Sequence, residues 1–138
     1  MEKHSELLIY TDGGARGNPG PAGIGIVIYD QQKKLISTHK RYIGEATNNQ
    51  AEYQAVIEAL EQAAALGAKA VKLVLDSELV VKQLRGEYKI KNQGLIPLVQ
   101  KIFRLSNNFS SVTFTHVPRE QNKLADKLVN EALNEAGQ

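Results

Sequence analysis

The chain contains no cysteine and no tryptophan, with one methionine and three histidines among its 138 residues. The first absence excludes disulfides and thiolate metal sites, so any metal must be held by oxygen or imidazole. It also fits a reducing compartment, and a cytoplasmic location is expected. No apolar run approaches the roughly 18 residues needed to span a bilayer, and the opening MEKHSE lacks a secretory signal core. No membrane partner is expected. Neither sign of charge dominates: 17 basic against 15 acidic side chains leave a net charge of +2. That balance permits a local basic patch for nucleic acid without announcing one. The G-x-G-x-x-G and Walker A loops are missing too, which removes the usual nucleotide fingerprints. Internal repeats, linkers and low-complexity tracts are also missing. What remains is 42% hydrophobic and 23% charged, and reads as a single domain over residues 1–138 with a real core.

The apolar patterning predicts strands at about 6–12, 22–30 and 34–43, then a helix at about 48–66. A strand at about 70–76, helical segments near 77–85 and 95–106, a strand at about 111–117 and a final helix over about 122–135 follow. Gly67 suits the C-terminal stop of the first helix. Three consecutive strands followed by α-β-α-β-α imply an α/β fold. Its five-stranded mixed sheet would join three antiparallel strands to two parallel ones, with helices flanking both faces.

One stretch, LLIYTDGGARGNPGPAGIGIVIYD at residues 7–30, departs from a plain hairpin. Its first apolar run reads as ending on Asp12, and Gly13, Gly14, Gly17, Pro19, Gly20 and Pro21 form the joint. A hairpin needs only about two to five turn residues. The extra length suggests backbone that approaches something closely, since glycine has no Cβ. A floppy hairpin tip is the plainer alternative.

Carboxylates also stand where burial makes them costly. In NNQAEYQAVIEALEQAAALG, Gln54, Glu58, Glu61 and Gln62 share a polar face, while Glu52 falls among Ala55, Val56, Ala59, Leu60, Ala63 and Leu66. A buried unpaired carboxylate costs several kcal/mol or protonates. AVKLVLDSE runs through a buried-strand pattern onto Asp76. In EQNKLADKLVNEAL, Asp126 borders an apolar stripe of Leu124, Ala125, Leu128, Val129, Ala132 and Leu133. Each has a plain reading: Glu52 and Asp126 as first-turn acids favoured by the helix dipole, Asp76 as an N-cap. Together they point elsewhere. If the two strands are neighbours, the four acids converge at one end of the sheet and repel unless cations neutralise them. All-oxygen ligation selects Mg²⁺ or Mn²⁺ over zinc. Two such ions about 4 Å apart stabilise both attacking and leaving oxygens in phosphoryl displacement.

YTDGGARGNPGPAGIG, TNNQAEYQAVIEAL, LDSELVVKQL and REQNKLAD, in that order and over nearly the whole chain, resemble the ribonuclease HI family. The resemblance implies the ribonuclease H fold and endonucleolytic hydrolysis of the RNA strand of RNA–DNA hybrids, largely independent of sequence. It places the metal-binding, catalytic acids at Asp12, Glu52, Asp76 and Asp126. Two Mg²⁺ ions, or Mn²⁺ in their place, are expected with substrate bound, one activating water and the other stabilising the leaving oxygen. Products would carry 5′-phosphate and 3′-hydroxyl ends. Substrate contacts are implied at Asn18, Thr47, Asn48 and Asn49, whose amides and hydroxyl suit 2′-hydroxyls in a shallow minor groove. Helix capping by the Thr-Asn-Asn segment is compatible with that role. A monomer is expected.

The chain departs from the better-known branch of that family. LRGEYKIKNQGLIPLVQ is too short for that branch's basic protrusion, and in this the chain resembles a shorter, protrusion-less branch found in archaea and some bacteria. His116 continues the strand alternation of Val112 and Phe114, which favours a structural role. Arg119 is then the auxiliary catalytic candidate. Glu78 replaces a glutamine that contacts substrate in the better-known branch. Competing readings are a binding module that kept the fold without hydrolysis, an actin-like ATPase, for which 138 residues supply too few domains, and another nuclease or integrase on this scaffold.

Overall fold

The computed structural model describes residues 5–138. Strands β1 (Glu6–Ala15), β2 (Gly20–Asp30) and β3 (Leu35–Ala46) form an antiparallel meander. Helix α1 (Asn48–Ala65) crosses to β4 (Ala70–Leu75), which pairs parallel to β1. Helices α2 (Glu78–Leu84) and α3 (Ile96–Ser106) lead to β5 (Ser111–His116), parallel to β4. A 3-10 turn (Arg119–Gln121) and α4 (Lys123–Glu135) complete the order, and the sheet runs β3-β2-β1-β4-β5. The five-stranded mixed sheet is as the patterning predicted. Among the described residues no helix is long and apolar enough to cross a membrane.

Alternation along the strands divides the apolar side chains between two layers. Leu7, Ile9, Ile24, Ile26, Ile28, Leu73 and Leu75 face one side, where Tyr53, Val56 and Leu60 of α1 and Val80, Val99 and Ile102 of α2 and α3 pack on them. On the other side α4 lays Ala125 and Leu128 against Val27. Leu124, expected in that stripe, is instead 40% exposed, at an open pocket that it lines with Leu8, Tyr10, Val27 and Tyr29.

The first strand is longer than its apolar run. Asp12 is not its end: β1 continues through Gly13, Gly14 and Ala15, paired to Ile24, Gly23 and Ala22. The connection is only residues 16–19. Gly13, Gly20 and Gly25 therefore serve close packing within the protein. Gly25, opposite Asp12 in register, sits so near α4 that a Cβ there would stand 2.3 Å from the Ala125 carbonyl oxygen. Gly13 makes the corresponding approach to α1. Between α2 and α3 the chain makes turns over residues 85–95, with no helix inserted.

Candidate active site

β1 and β4 are parallel neighbours, so their C-terminal ends reach the same edge of the sheet. Asp12 projects from β1 and Asp76 follows β4 directly. α1 begins with a capping box: Thr47 Oγ1 accepts from Gln50 N at 3.1 Å, and Gln50 Oε1 accepts from Thr47 N at 2.9 Å. That start fixes the first turns of α1, placing buried Glu52 beside β1, where Gly13 N donates to its Oε1 at 3.0 Å. One carboxylate oxygen each of Asp12, Glu52 and Asp76 lies within 4.8 Å of the others. Asp126, half-buried in the first turn of α4, stands beside Asp12. All four line one cleft.

Burial and mutual repulsion govern the chemistry of this cluster. The Asp12 carboxyl is pushed up to about 8, first by burial and then by the charges of Asp76 and Asp126, with the Gly13 amide opposing. Glu52 is pushed well above the usual carboxylate range by burial, then by Asp12 and Asp76. Such a set either holds protons or gains a countercharge. Its all-oxygen donors and their spacing fit a hard divalent cation, with Asp12, Glu52 and Asp76 as the core of the ligand set.

Asn122 is a member of the site that sequence reasoning missed. Fully buried just before α4, its Nδ2 donates to the Thr11 carbonyl at 2.9 Å and to Asp76 Oδ2 at 3.1 Å. It ties α4, β1 and the acid after β4 into one unit. Its Oδ1 and the neighbouring Thr11 Oγ1 are buried without a protein partner. An asparagine before a helix reads as a cap, yet this side chain caps nothing. Tyr53 and Gln83 form a second unforeseen pair, in which the buried Tyr53 hydroxyl donates to Gln83 Oε1 and joins α1 to α2.

The polar residues expected at the substrate also cluster here. Asn48 and Asn49 line the cleft. Asn48 Oδ1 accepts from Ala15 N at 2.8 Å, and Asn18 Oδ1 accepts from Asn48 N at 3.0 Å. Exposed Asn18 and half-buried Thr47 lie next to that lining and brace the start of α1. Arg119 lines the cleft, whereas His116 does not. The His116 side chain is exposed at the end of β5, so its expected structural part is confined to its main chain, paired in register with Leu75. Glu78 is exposed and lies 3.8 Å from Lys82.

Comparison with known proteins agrees with this architecture. A family described as reverse transcriptase-like matches residues 10–132. Ribonuclease HI of Halobacterium salinarum is 44% identical over 135 residues, covering 98% of this chain and 68% of that protein. The bifunctional protein Rv2228c of Mycobacterium tuberculosis is 40% identical over 134 residues, and the chain spans only 37% of its length. Among solved structures, RNase H1 from Halobacterium salinarum superposes with a TM-score of 0.92 at 42% identity, covering 94% of this chain and 98% of that one. LC11-RNase H1, solved in complex with an RNA/DNA hybrid, gives 0.91 at 47% identity, covering 96% and 99%. With its mixed sheet, its converging acids and these relatives, the chain belongs to the ribonuclease HI family.

Proposed function

We propose that this protein is an endoribonuclease that hydrolyses the RNA strand of RNA–DNA hybrids. The observation that carries the reading is the meeting of Asp12, Glu52 and Asp76 within 4.8 Å, with Asp126 against Asp12, in a cleft rimmed by asparagine side chains. The hybrid bound to the 47%-identical LC11-RNase H1 supports the substrate class.

The residues divide the work. The Gly13 amide fixes one oxygen of Glu52, and the Asn122 amide fixes one oxygen of Asp76, so these carboxyl groups are oriented before substrate arrives. A pair of divalent ions, Mg²⁺ or Mn²⁺, would supply the charge that activates water and stabilises the leaving 3′ oxygen, giving 5′-phosphate and 3′-hydroxyl ends. Asn48, its Oδ1 engaged with Ala15, offers its Nδ2 hydrogens to an acceptor, and Asn49 offers a whole amide. A 2′-hydroxyl both accepts and donates, so this rim favours a ribose over a deoxyribose without reading bases. Arg119 reaches the cleft from the turn before α4, where it would meet the scissile phosphate. A single chain supplies every one of these groups, which supports action as a monomer.

End-labelled RNA–DNA, RNA–RNA and DNA–DNA duplexes, each incubated with Mg²⁺ or Mn²⁺, test the proposal. Metal-dependent internal cleavage confined to the RNA of the hybrid is the expected result. Binding to the hybrid without cleavage in either metal would overturn it in favour of a binding module.

A further inference from the structure

Arg16 lines the same cleft as the four acids. Among the described residues, Arg16 and Arg119 are the two cationic side chains of that lining, and they come from different elements. Arg16 opens the connection between β1 and β2, four residues beyond Asp12. At about 3.3 Å per residue of extended chain, its Cα stands about 13 Å from that of Asp12, at the rim of the cleft.

The surroundings of Arg16 hold it ready without neutralising it. Its main chain is pinned: Arg16 N donates to the Pro21 carbonyl at 2.8 Å, and Gly20 packs so closely that a Cβ there would stand 2.2 Å from Arg16 O. The side chain is anchored at one corner only, where Nη2 donates to Asn130 Oδ1 at 3.3 Å. Asn130 in turn donates from Nδ2 to the Asp126 carbonyl at 3.1 Å, on the helix that carries the fourth acid. No described carboxylate forms an ion pair with this guanidinium. A cation beside a cluster of acids, exposed and paired with none of them, has most of its five donors unused. The planar fork suits phosphate oxygens, and a polynucleotide over the acids must carry its neighbouring phosphates across the rim.

We infer that Arg16 contacts substrate, taking a backbone phosphate of the nucleic acid next to the one being cut. Arg119 serves the scissile phosphate, while Arg16 holds the strand beside it. The inference rests on the hydrolase reading of the site, so its test is read against wild-type cleavage of the hybrid.

Steady-state cleavage of a short RNA–DNA hybrid by Arg16→Ala should show KM raised about tenfold, as for a lost charge-assisted contact, with kcat within about twofold. In an Asp12→Asn background, fluorescence anisotropy of the labelled hybrid against salt should give a slope shallower by about 0.9 once Arg16 is removed. Arg16→Lys should restore that slope but only part of the KM, because the charge returns without the fork. Asn130→Ala removes the anchor and keeps the guanidinium, so the slope should persist. If wild type cleaves the hybrid but Arg16→Ala leaves KM and slope unchanged, the inference is wrong and the functional reading stands. It is equally overturned if Asn130→Ala reproduces both changes in full, since Arg16 would then be only a strut. No cleavage by wild type would remove the functional reading itself.

Discussion

Gly13 and Ala51 touch backbone to backbone: a Cβ built on Gly13 would stand 2.2 Å from the Ala51 carbonyl oxygen and 2.6 Å from Glu52 N. Helix α1 lies directly on β1 at that point, and the contact delivers Glu52 to Asp12. Gly13→Ala must force the helix away, because backbone cannot move aside as a flexible side chain can. The cost should be at least the about 1–3 kcal/mol typical of overpacking, with metal affinity and activity falling too. Gly14→Ala is the control, since its Cβ would meet only Val129 Cγ1 at 3.8 Å, an ordinary contact. Urea denaturation of both variants measures the difference. Equal stability would mean that α1 has room to shift.

Asp12 and Glu52 together set the pH response of the metal-free protein, and Asp12 is the one that can be placed on the pH scale. Its carboxyl titrates near 8 in the folded chain against 3.8 ordinarily, first because it is buried and then because Asp76 and Asp126 stand close. Between those values the folded state keeps a proton that the unfolded chain has released. Stability without metal should therefore be greatest near the acid end of that window and fall as pH rises through it. The slope from this one group is at most about 1.4 kcal/mol per pH unit. Asp12→Asn should make the slope shallower, with buried Glu52 keeping its own share, and melt no lower than wild type at pH 8 without metal, while hydrolysis drops by orders of magnitude. Added divalent ion should stabilise wild type most at high pH, where the carboxylates are charged. Melting curves from pH 5 to pH 8 with and without Mg²⁺ check each part. A wild-type protein whose metal-free stability rises across that range would contradict the assignment.

The acids were legible in the sequence because apolar neighbours made them expensive. Glu52 interrupts a face of alanines and leucines, and Asp76 caps a run of buried strand residues, so the anomaly is local. The true end of β1 was hidden for the opposite reason. Gly13 and Gly14 carry no side chain, so they show no alternation, and a paired strand looks like a loop. Asn122 was hidden by distance: its partners are Thr11 and Asp76, 111 and 46 residues away, and no short window joins them. Tyr53 and Gln83 escaped notice in the same way, each looking unremarkable within its own helix.

Arg119 and His116 separate two ways of serving the site. Arg119 lines the cleft with a guanidinium that offers five donors and no acceptor, so it can steady a phosphate or assist product release but cannot act as a general base. His116 lies outside that lining, exposed at the end of β5. Arg119→Ala should lower turnover by about ten- to a hundredfold, the worth of a charge-assisted hydrogen bond, and His116→Ala by less than about twofold. Turnover at saturating hybrid, corrected for folded fraction, ranks them. A larger loss in His116→Ala would reverse the assignment.

The remaining cations set how strongly salt weakens binding. Lys82 lies 3.8 Å from Glu78 and 5.0 Å from the Tyr88 ring centroid. Arg85 lies 3.7 Å from Glu87 and donates to the Phe114 carbonyl at 2.8 Å, while Lys127 stands 3.9 Å from Glu131. Lys89, Lys91 and Lys123 are exposed and have no ion-pair partner among the described residues. Each phosphate neutralised contributes about 0.9 to the slope of log affinity against log salt on the duplex-DNA scale. Arg16 and Arg119 with one or two of these lysines therefore give a slope of about −2 to −4, with weak hybrid binding. Reversing the charge of Lys89 and Lys91 together should lower affinity more than turnover at saturating substrate, since neither lines the cleft. Anisotropy titrations across a salt series measure the slope directly. A value steeper than about −6 would require a basic surface larger than these residues supply.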